Sequence, residues 1–132
     1  MSQFGVQLHS KSSTKSNGNG KRITKSRDKR RSEIGSYFAA TRMSDNDALR
    51  PHRMRGGRVR MALKRVATVN LLTKAGYKKT KIKGVLESRD NRNFARQNII
   101  TKGTIINTDE GKAEVINRPG RDGSVNARLV EA

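Results

Sequence analysis

Cysteine and tryptophan are absent from this 132-residue chain, proline occurs only twice, and aromatic residues make up 4% of it. Without cysteine there is no disulfide framework and no thiolate metal site. The histidines are His9 and His52, far apart in the chain, which argues against a structural zinc site and leaves no metal constellation. No apolar run approaches the roughly 20 residues needed to span a bilayer. The start, Met1-Ser2-Gln3-Phe4-Gly5, lacks the apolar stretch of a secretory signal. Binding flat on an anionic membrane would want an amphipathic helix with a strong apolar face, and the basic segments show none. The expectation is a soluble, intracellular protein with no membrane partner.

Catalytic signatures are missing too. There is no Gly-x4-Gly-Lys-Ser/Thr loop and no Ser-His-Asp arrangement. Asp109 and Glu110 sit beside Gly111, where turn and solubility roles suit them better than a catalytic dyad. The reading is of a protein that is not an enzyme, with no cofactor and no small-molecule substrate.

What the chain has in excess is positive charge. Thirty Lys and Arg stand against eleven Asp and Glu, for a net charge of +19. The excess is uneven. Residues 1–65 hold seventeen bases against four acids, and residues 66–132 hold thirteen against seven. A chain this basic repels itself, and nucleic-acid phosphate is the obvious polyanion to neutralise it. The asymmetry suggests a basic arm on a more ordinary folded part. With 32% hydrophobic residues, most of them in the second half, one small domain is expected.

Residues 10–32 are rich in Ser, Lys, Arg, Gly and Asn, and Ser16-Asn17-Gly18-Asn19-Gly20 has turn chemistry. Such a segment cannot bury enough apolar surface to offset its ordering entropy, so residues 1–32 are expected to order only on a partner. Residues 1–57 are read as a largely extended basic arm. Ile34 to Ala40 reads as a short strand or a docking segment. Ser44-Asp45-Asn46-Asp47 looks like a helix N-cap, but Pro51 comes too soon for more than a turn or loop.

From Arg58 the texture changes to period two. Val59, Met61 and Leu63 alternate with Arg58, Arg60, Ala62 and Lys64, and the odd positions continue through Ala67, Val69 and Leu71. This is a strand with Val59 and Met61 toward the core and Arg58 and Arg60 on a basic face. Further strands are expected over Tyr77–Glu87, Phe94–Ile100, Thr104–Thr108, Lys112–Asn117 and Ser124–Glu131. The Arg118–Gly123 stretch carries Pro-Gly and Asp-Gly signals of a tight loop. Short strands joined by Gly-containing turns, rich in β-branched residues, argue for an all-β fold. A small barrel of about six strands over residues 58–132 fits best.

Three segments are candidates for binding nucleic acid. The arm contributes Lys11, Lys15, Lys21, Arg22, Lys25, Arg27, Lys29, Arg30 and Arg31, a density that favours phosphate neutralisation over a solvated tail. A second cluster holds Arg50, Arg53, Arg55, Arg58 and Arg60 around Gly56-Gly57. There the missing side chains let backbone N–H groups approach phosphate, although a flexible hinge explains the glycines equally well. The third is Asn91 to Asn98, where Arg92 and Arg96 are the favoured contacts and Phe94 is read as core in preference to a base-stacking residue.

Several of these blocks resemble the ribosomal protein S8e family. Asn91-Arg92-Asn93-Phe94-Ala95-Arg96-Gln97-Asn98-Ile99-Ile100-Thr101-Lys102-Gly103-Thr104-Ile105-Ile106 is similar to that family's long N-I-I-T-K-G block. Arg118-Pro119-Gly120-Arg121-Asp122-Gly123-Ser124-Val125-Asn126-Ala127 is similar to its R-P-G-x-D-G-x-V-N-A ending. Thr41-Arg42-Met43-Ser44 and Arg55-Gly56-Gly57 fall where the family has T-R and R-G-G elements. The length resembles the short, archaeal-type members. Ser10 to Gly20 departs from the family's more Arg-rich N-terminal stretch. The resemblance covers roughly residues 30–132. It implies a β-barrel with basic extensions in small-subunit rRNA, neighbouring ribosomal proteins as further partners, a cytoplasmic ribosomal location, and Arg42 and Lys102 as added RNA contacts. The alternatives are a free nucleic-acid chaperone or architectural DNA- or RNA-binding protein, and an RNA-modifying accessory domain.

Overall fold

The computed structural model describes Gly20, Lys21 and residues 35–130. The chain divides into two units after Phe38, and every element named below lies in the second, Ala39–Ala132. Among the described residues the order is β1 (Arg42–Met43), β2 (Ala48–Arg53), β3 (Val59–Val66), β4 (Thr68–Thr73), β5 (Gly76–Glu87), α1 (Arg92–Arg96), β6 (Ile105–Thr108), β7 (Gly111–Val115), α2 (Pro119–Asp122) and β8 (Asn126–Leu129).

The all-β expectation holds, with five strands rather than six around the barrel. Strands β4 to β8 pair antiparallel in sequence order, and a parallel pairing of β4 with β8 closes the ring. Closure removes the unpaired edges that an open sheet would expose. The interior is filled by alternate residues: Val69 and Leu71 of β4, Ile82 of β5, Ile106 of β6, Ala113 and Val115 of β7, and Ala127 of β8.

Strands β1, β3 and β2 form a separate three-stranded sheet in that order. The boundary expected at residue 57 therefore falls in the turn of a hairpin, and residues 48–53 are sheet. Pro51 is tolerated because β2 is the edge strand, where a missing N–H breaks no inner ladder. Asp47 does not cap a helix. Its carboxylate accepts the Ala67 N–H at 2.6 Å and the Thr68 hydroxyl at 3.2 Å. The Ala67 carbonyl accepts from the Ile82 N–H at 3.0 Å. Both backbone groups at the β3–β4 junction are thereby satisfied.

The strand expected from Arg58 to Leu71 is two strands, and it changes face inside β3. Leu49 pairs with Leu63 but Ala48 pairs with Arg65, so Lys64 is an extra, unpaired residue. The bulge puts Lys64 and Arg65 both outward between buried Leu63 and buried Val66. Beside it the buried Thr41 hydroxyl donates to the Leu63 carbonyl at 2.6 Å.

Val59 and Met61 share a face with Leu63, as alternation requires, yet they are 61% and 47% exposed. They are not core. The hairpin runs past the residues that cover Leu63, so only the inner end of its apolar face is buried.

Phe94–Ile100 is not a strand. Asn91 caps α1 by accepting the Asn93 N–H at 2.9 Å. The helix stops at Asn98, whose φ of 52° is left-handed. The Asn98 N–H donates to Ala95 and the Ile99 N–H to Phe94, the hydrogen-bond pair of a Schellman stop. Ile99 then bridges to Arg42, and the Ile100 N–H donates to the Thr41 carbonyl. The Arg118–Gly123 loop is a one-turn helix, with Pro119 in its first turn and Gly123 at its end with φ of 76°. Asp122 accepts the Arg118 N–H at 3.0 Å, closing the turn. Gly120 serves close packing, because a Cβ there would lie 2.6 Å from the Ala39 Cβ.

This packing sets the cost of two kinds of substitution. Leu63→Ala should cost about 2–5 kcal/mol, whereas Val59→Ala with Met61→Ala should stay within about 1 kcal/mol of the parent in urea unfolding. Gly120→Ala should cost about 1–3 kcal/mol through overpacking against Ala39, visible as a lowered melting temperature.

Candidate nucleic-acid interface

Cross-strand partners share a sheet face, so the register of β1–β3–β2 sorts the side chains. On one side lie Leu49, Pro51 and Arg53 of β2 opposite Leu63, Met61 and Val59 of β3. On the other lie Arg50 opposite Ala62, His52 opposite Arg60, and Arg42 of β1 opposite Arg65, with Lys64 added by the bulge. All six basic or imidazole side chains on this second face are exposed except Arg60, which is half-buried. No Asp or Glu occupies any position of β1, β2 or β3.

Of the expected contacts, Arg42, Arg50 and Arg60 are brought together on this face. Arg53 is exposed on the opposite face. Arg58 is exposed where the turn enters β3. The turn itself is Arg55–Gly57, with Gly56 and Gly57 at φ of 80° and 77°. The positive φ accounts for both glycines, and among the described residues nothing packs over them.

Arg92 and Arg96 are exposed on α1, one turn apart and thus on one side of it. The chain leaving α1 pairs with β1, which ties these arginines to the β1 edge of the same sheet. Phe94 is half-buried, in keeping with a packing role. Lys102 is exposed in a turn held to β7 by a 2.7 Å bond from the Gly103 N–H to the Val115 carbonyl, so the pairing does not place it on the sheet face. Lys21 is exposed; Lys11, Lys15, Arg22, Lys25, Arg27, Lys29, Arg30 and Arg31 lie outside the described residues.

The face also holds Lys64, which alternation sets with Arg60, and Arg65 and His52, which sequence patterning does not single out. Arg65 follows the alternation of buried positions, and only the bulge turns it outward.

The barrel handles charge differently. Lys78 pairs with Glu110, and Lys83 with Asp109 at 3.1 Å. The hydrogen bond from Lys78 to Glu110 raises the ammonium pKa above the ordinary lysine range, and the bond from Lys83 lowers that of the Asp109 carboxyl. Glu114 holds Arg128 at 3.0 Å and Arg89 at 3.6 Å. Acids thus partner bases around the barrel, whereas the sheet face has none on its strands. Among the described residues no cluster of His and acids could hold a metal ion, and no helix is long and apolar enough to cross a membrane.

The comparisons with known proteins identify the family. The model of the family described as ribosomal protein S8e matches residues 9–130. The chain belongs to that family. Its relatives include the small ribosomal subunit protein eS8 of Sulfolobus acidocaldarius, 44% identical over 108 residues, covering 80% of this chain and 84% of that protein. The eS8 protein of Hyperthermus butylicus is 41% identical, covering 85% and 84%. That of Methanobrevibacter smithii is 41% identical, covering 84% and 90%. Ribosomal protein S8e is a family of non-enzymatic structural proteins, as the missing catalytic signatures suggested.

Proposed function

We propose that this chain is a structural protein of the small ribosomal subunit that binds rRNA through the basic face of β1–β3–β2 and through its basic N-terminal segment. The observation that carries the reading is the concentration of basic side chains on one face of the sheet. Arg42, Arg50, Arg60, Lys64 and Arg65 share that face, and the three strands hold no acid. Like charges directly opposite are destabilising, and a polyanion laid over the face converts that repulsion into attraction. Phosphates spaced along an RNA backbone meet such a row geometrically, and each one bound releases condensed counterions. Gly56-Gly57 offers bare backbone at the hairpin tip, and Arg92 and Arg96 extend the positive field past the β1 edge.

The residues before Phe38 add nine bases against two acids. They act by the same electrostatics. The family supports the ribosome over a free chaperone or architectural protein, because the relatives are named as small-subunit proteins along nearly their whole length. Co-sedimentation with the small subunit through moderate salt is the direct discriminator.

The test of the face is a triple substitution, Arg50→Gln, Arg60→Gln and Arg65→Gln, with rRNA affinity measured across salt concentrations. The slope of log affinity against log salt should fall by about one unit for each phosphate that is no longer neutralised. The melting temperature should hold or rise, since repulsion is relieved. Removing residues 1–34 should flatten the slope further. An unchanged slope in the triple variant would rule out this face as the RNA-binding surface.

A further inference from the structure

On the outer wall of the barrel, the register aligns a row of side chains unlike any other exposed set. Tyr77 of β5 lies opposite Leu72 of β4, and Leu72 lies opposite Arg128 of β8. Tyr77 is 76% exposed and Leu72 40% exposed, although both side chains would gain from burial. The next row along the same wall is Lys79, Asn70 and Asn126. The Asn70 amide donates to the Asn126 side-chain oxygen at 3.0 Å, which fixes both amides in place. Among the described residues no carboxylate pairs with Lys79. Thr80 and Ile82, at the following even positions of β5, point inward, so alternation puts Tyr77 and Lys79 on the outer face.

We propose that this wall is a stacking site for an unpaired RNA base, with Tyr77 as the platform. The inference rests on the RNA-binding reading above and adds a second, chemically different contact to it. A nucleobase has an apolar π-face and a polar rim, attached to a phosphate. Tyr77 and Leu72 supply a flat aromatic-aliphatic floor. The neighbouring Arg128 guanidinium, steadied by Glu114 at 3.0 Å, adds a second planar surface. The Asn70–Asn126 pair uses one donor and one acceptor on itself. The Asn70 oxygen and the Asn126 amide N–H2 keep capacity for a base edge. Lys79, one pleat repeat from Tyr77, is in place for the phosphate. A duplex offers no free base face to such a floor, so the ligand is single-stranded: a loop, bulge or strand end. The aromatic-plus-lysine combination favours RNA over a protein partner, for which a floor beside an exposed lysine is poorly matched unless that partner is strongly acidic.

The probes are an unstructured mixed-sequence RNA 12-mer and a blunt 12-base-pair RNA duplex, bound to the full chain. Tyr77→Ala should weaken 12-mer binding about tenfold without changing the salt slope, because stacking releases no counterions. Tyr77→Phe should bind like the parent. Lys79→Gln should instead lower the slope by about 0.7, the value for one phosphate of a single strand. In a Tyr37→Phe background, the remaining tyrosine emission should be quenched by the 12-mer and not by the duplex. High exposure of Tyr77 means that these variants keep the parent melting temperature. Equal 12-mer affinity for the parent and Tyr77→Ala, with the parent binding RNA normally, would overturn this site and leave the sheet-face reading standing. So would equal quenching by duplex, or a Tyr77→Ala loss seen only with an acidic protein partner. Absence of RNA binding by the parent would overturn both.

Discussion

One extra residue in β3 decides which side of this molecule is protein and which is solvent. A strand alternates strictly, so a one-residue slip sends every later side chain to the wrong face. The bulge at Lys64 uses that rule. Before it, Leu63 is on the inner face at an odd position; after it, Val66 is buried at an even one. Without the bulge, either Val66 would leave the core or Arg65 would enter it. The irregularity interrupts the ladder, and the short stretch from Thr41 to Asp47 makes good the loss. The Thr41 hydroxyl bonds Leu63, the Ser44 N–H bonds the Val66 carbonyl, and Asp47 holds Ala67 and Thr68. Sheet and barrel thus meet at the β3–β4 junction, just past the point where the face of β3 is reset.

The same reset concentrates charge. Lys64 and Arg65 join Arg42, Arg50 and Arg60 on a face whose strands hold no acid. Opposed residues in a sheet lie about 5 Å apart, inside the roughly 8 Å screening length at physiological salt, so these charges interact despite being exposed. The barrel shows that the chain has acids to pair with when pairing suits it: Asp109, Glu110 and Glu114 each hold a base. The distal hairpin, a two-stranded ribbon with Val59 and Met61 exposed, is the part least able to stand alone. Sheet repulsion and marginal packing therefore fall on the same element, and an anionic partner relieves the first.

Period two makes the barrel legible. Val69, Leu71, Ile82, Ile106, Val115 and Ala127 sit where alternation puts them, and the turns at Gly76 and Gly111 punctuate as expected. Alternation states which side chains share a face. It does not state whether anything covers that face, which is why it sends Val59 and Met61 toward a core that in fact ends at Leu63. Nor does it register a bulge, so it hides Arg65 among positions that read as buried. The helix at Arg92–Arg96 is masked because Phe94, Ala95, Ile99 and Ile100 read as a strand. The signals that outweigh them are two asparagines, Asn91 as a cap and Asn98 as a left-handed stop. Positive charge density points to a polyanion as a class, but the arrangement of that charge requires the register.

The blocks that carry the family resemblance turn out to have mainly architectural work. In the first, Asn98 ends α1, Ile99 and Ile100 are buried beside Thr41 and Arg42, and Gly103 takes a φ of 78° in a turn whose Thr101 and Thr104 bond each other. In the second, Pro119 is buried, Gly120 packs on Ala39, Gly123 ends α2, and Asn126 donates its backbone N–H to Asn117 and accepts from the Asn70 amide. These positions need particular residues because backbone geometry and close packing admit few others. Phosphate contacts are less demanding, since any exposed cation at the right spacing serves, and the Arg and Lys of β1–β3–β2 sit in segments with little other sequence character. A recognisable block in such a protein therefore reports the scaffold, while a charged face is found by asking which way the scaffold turns its basic side chains.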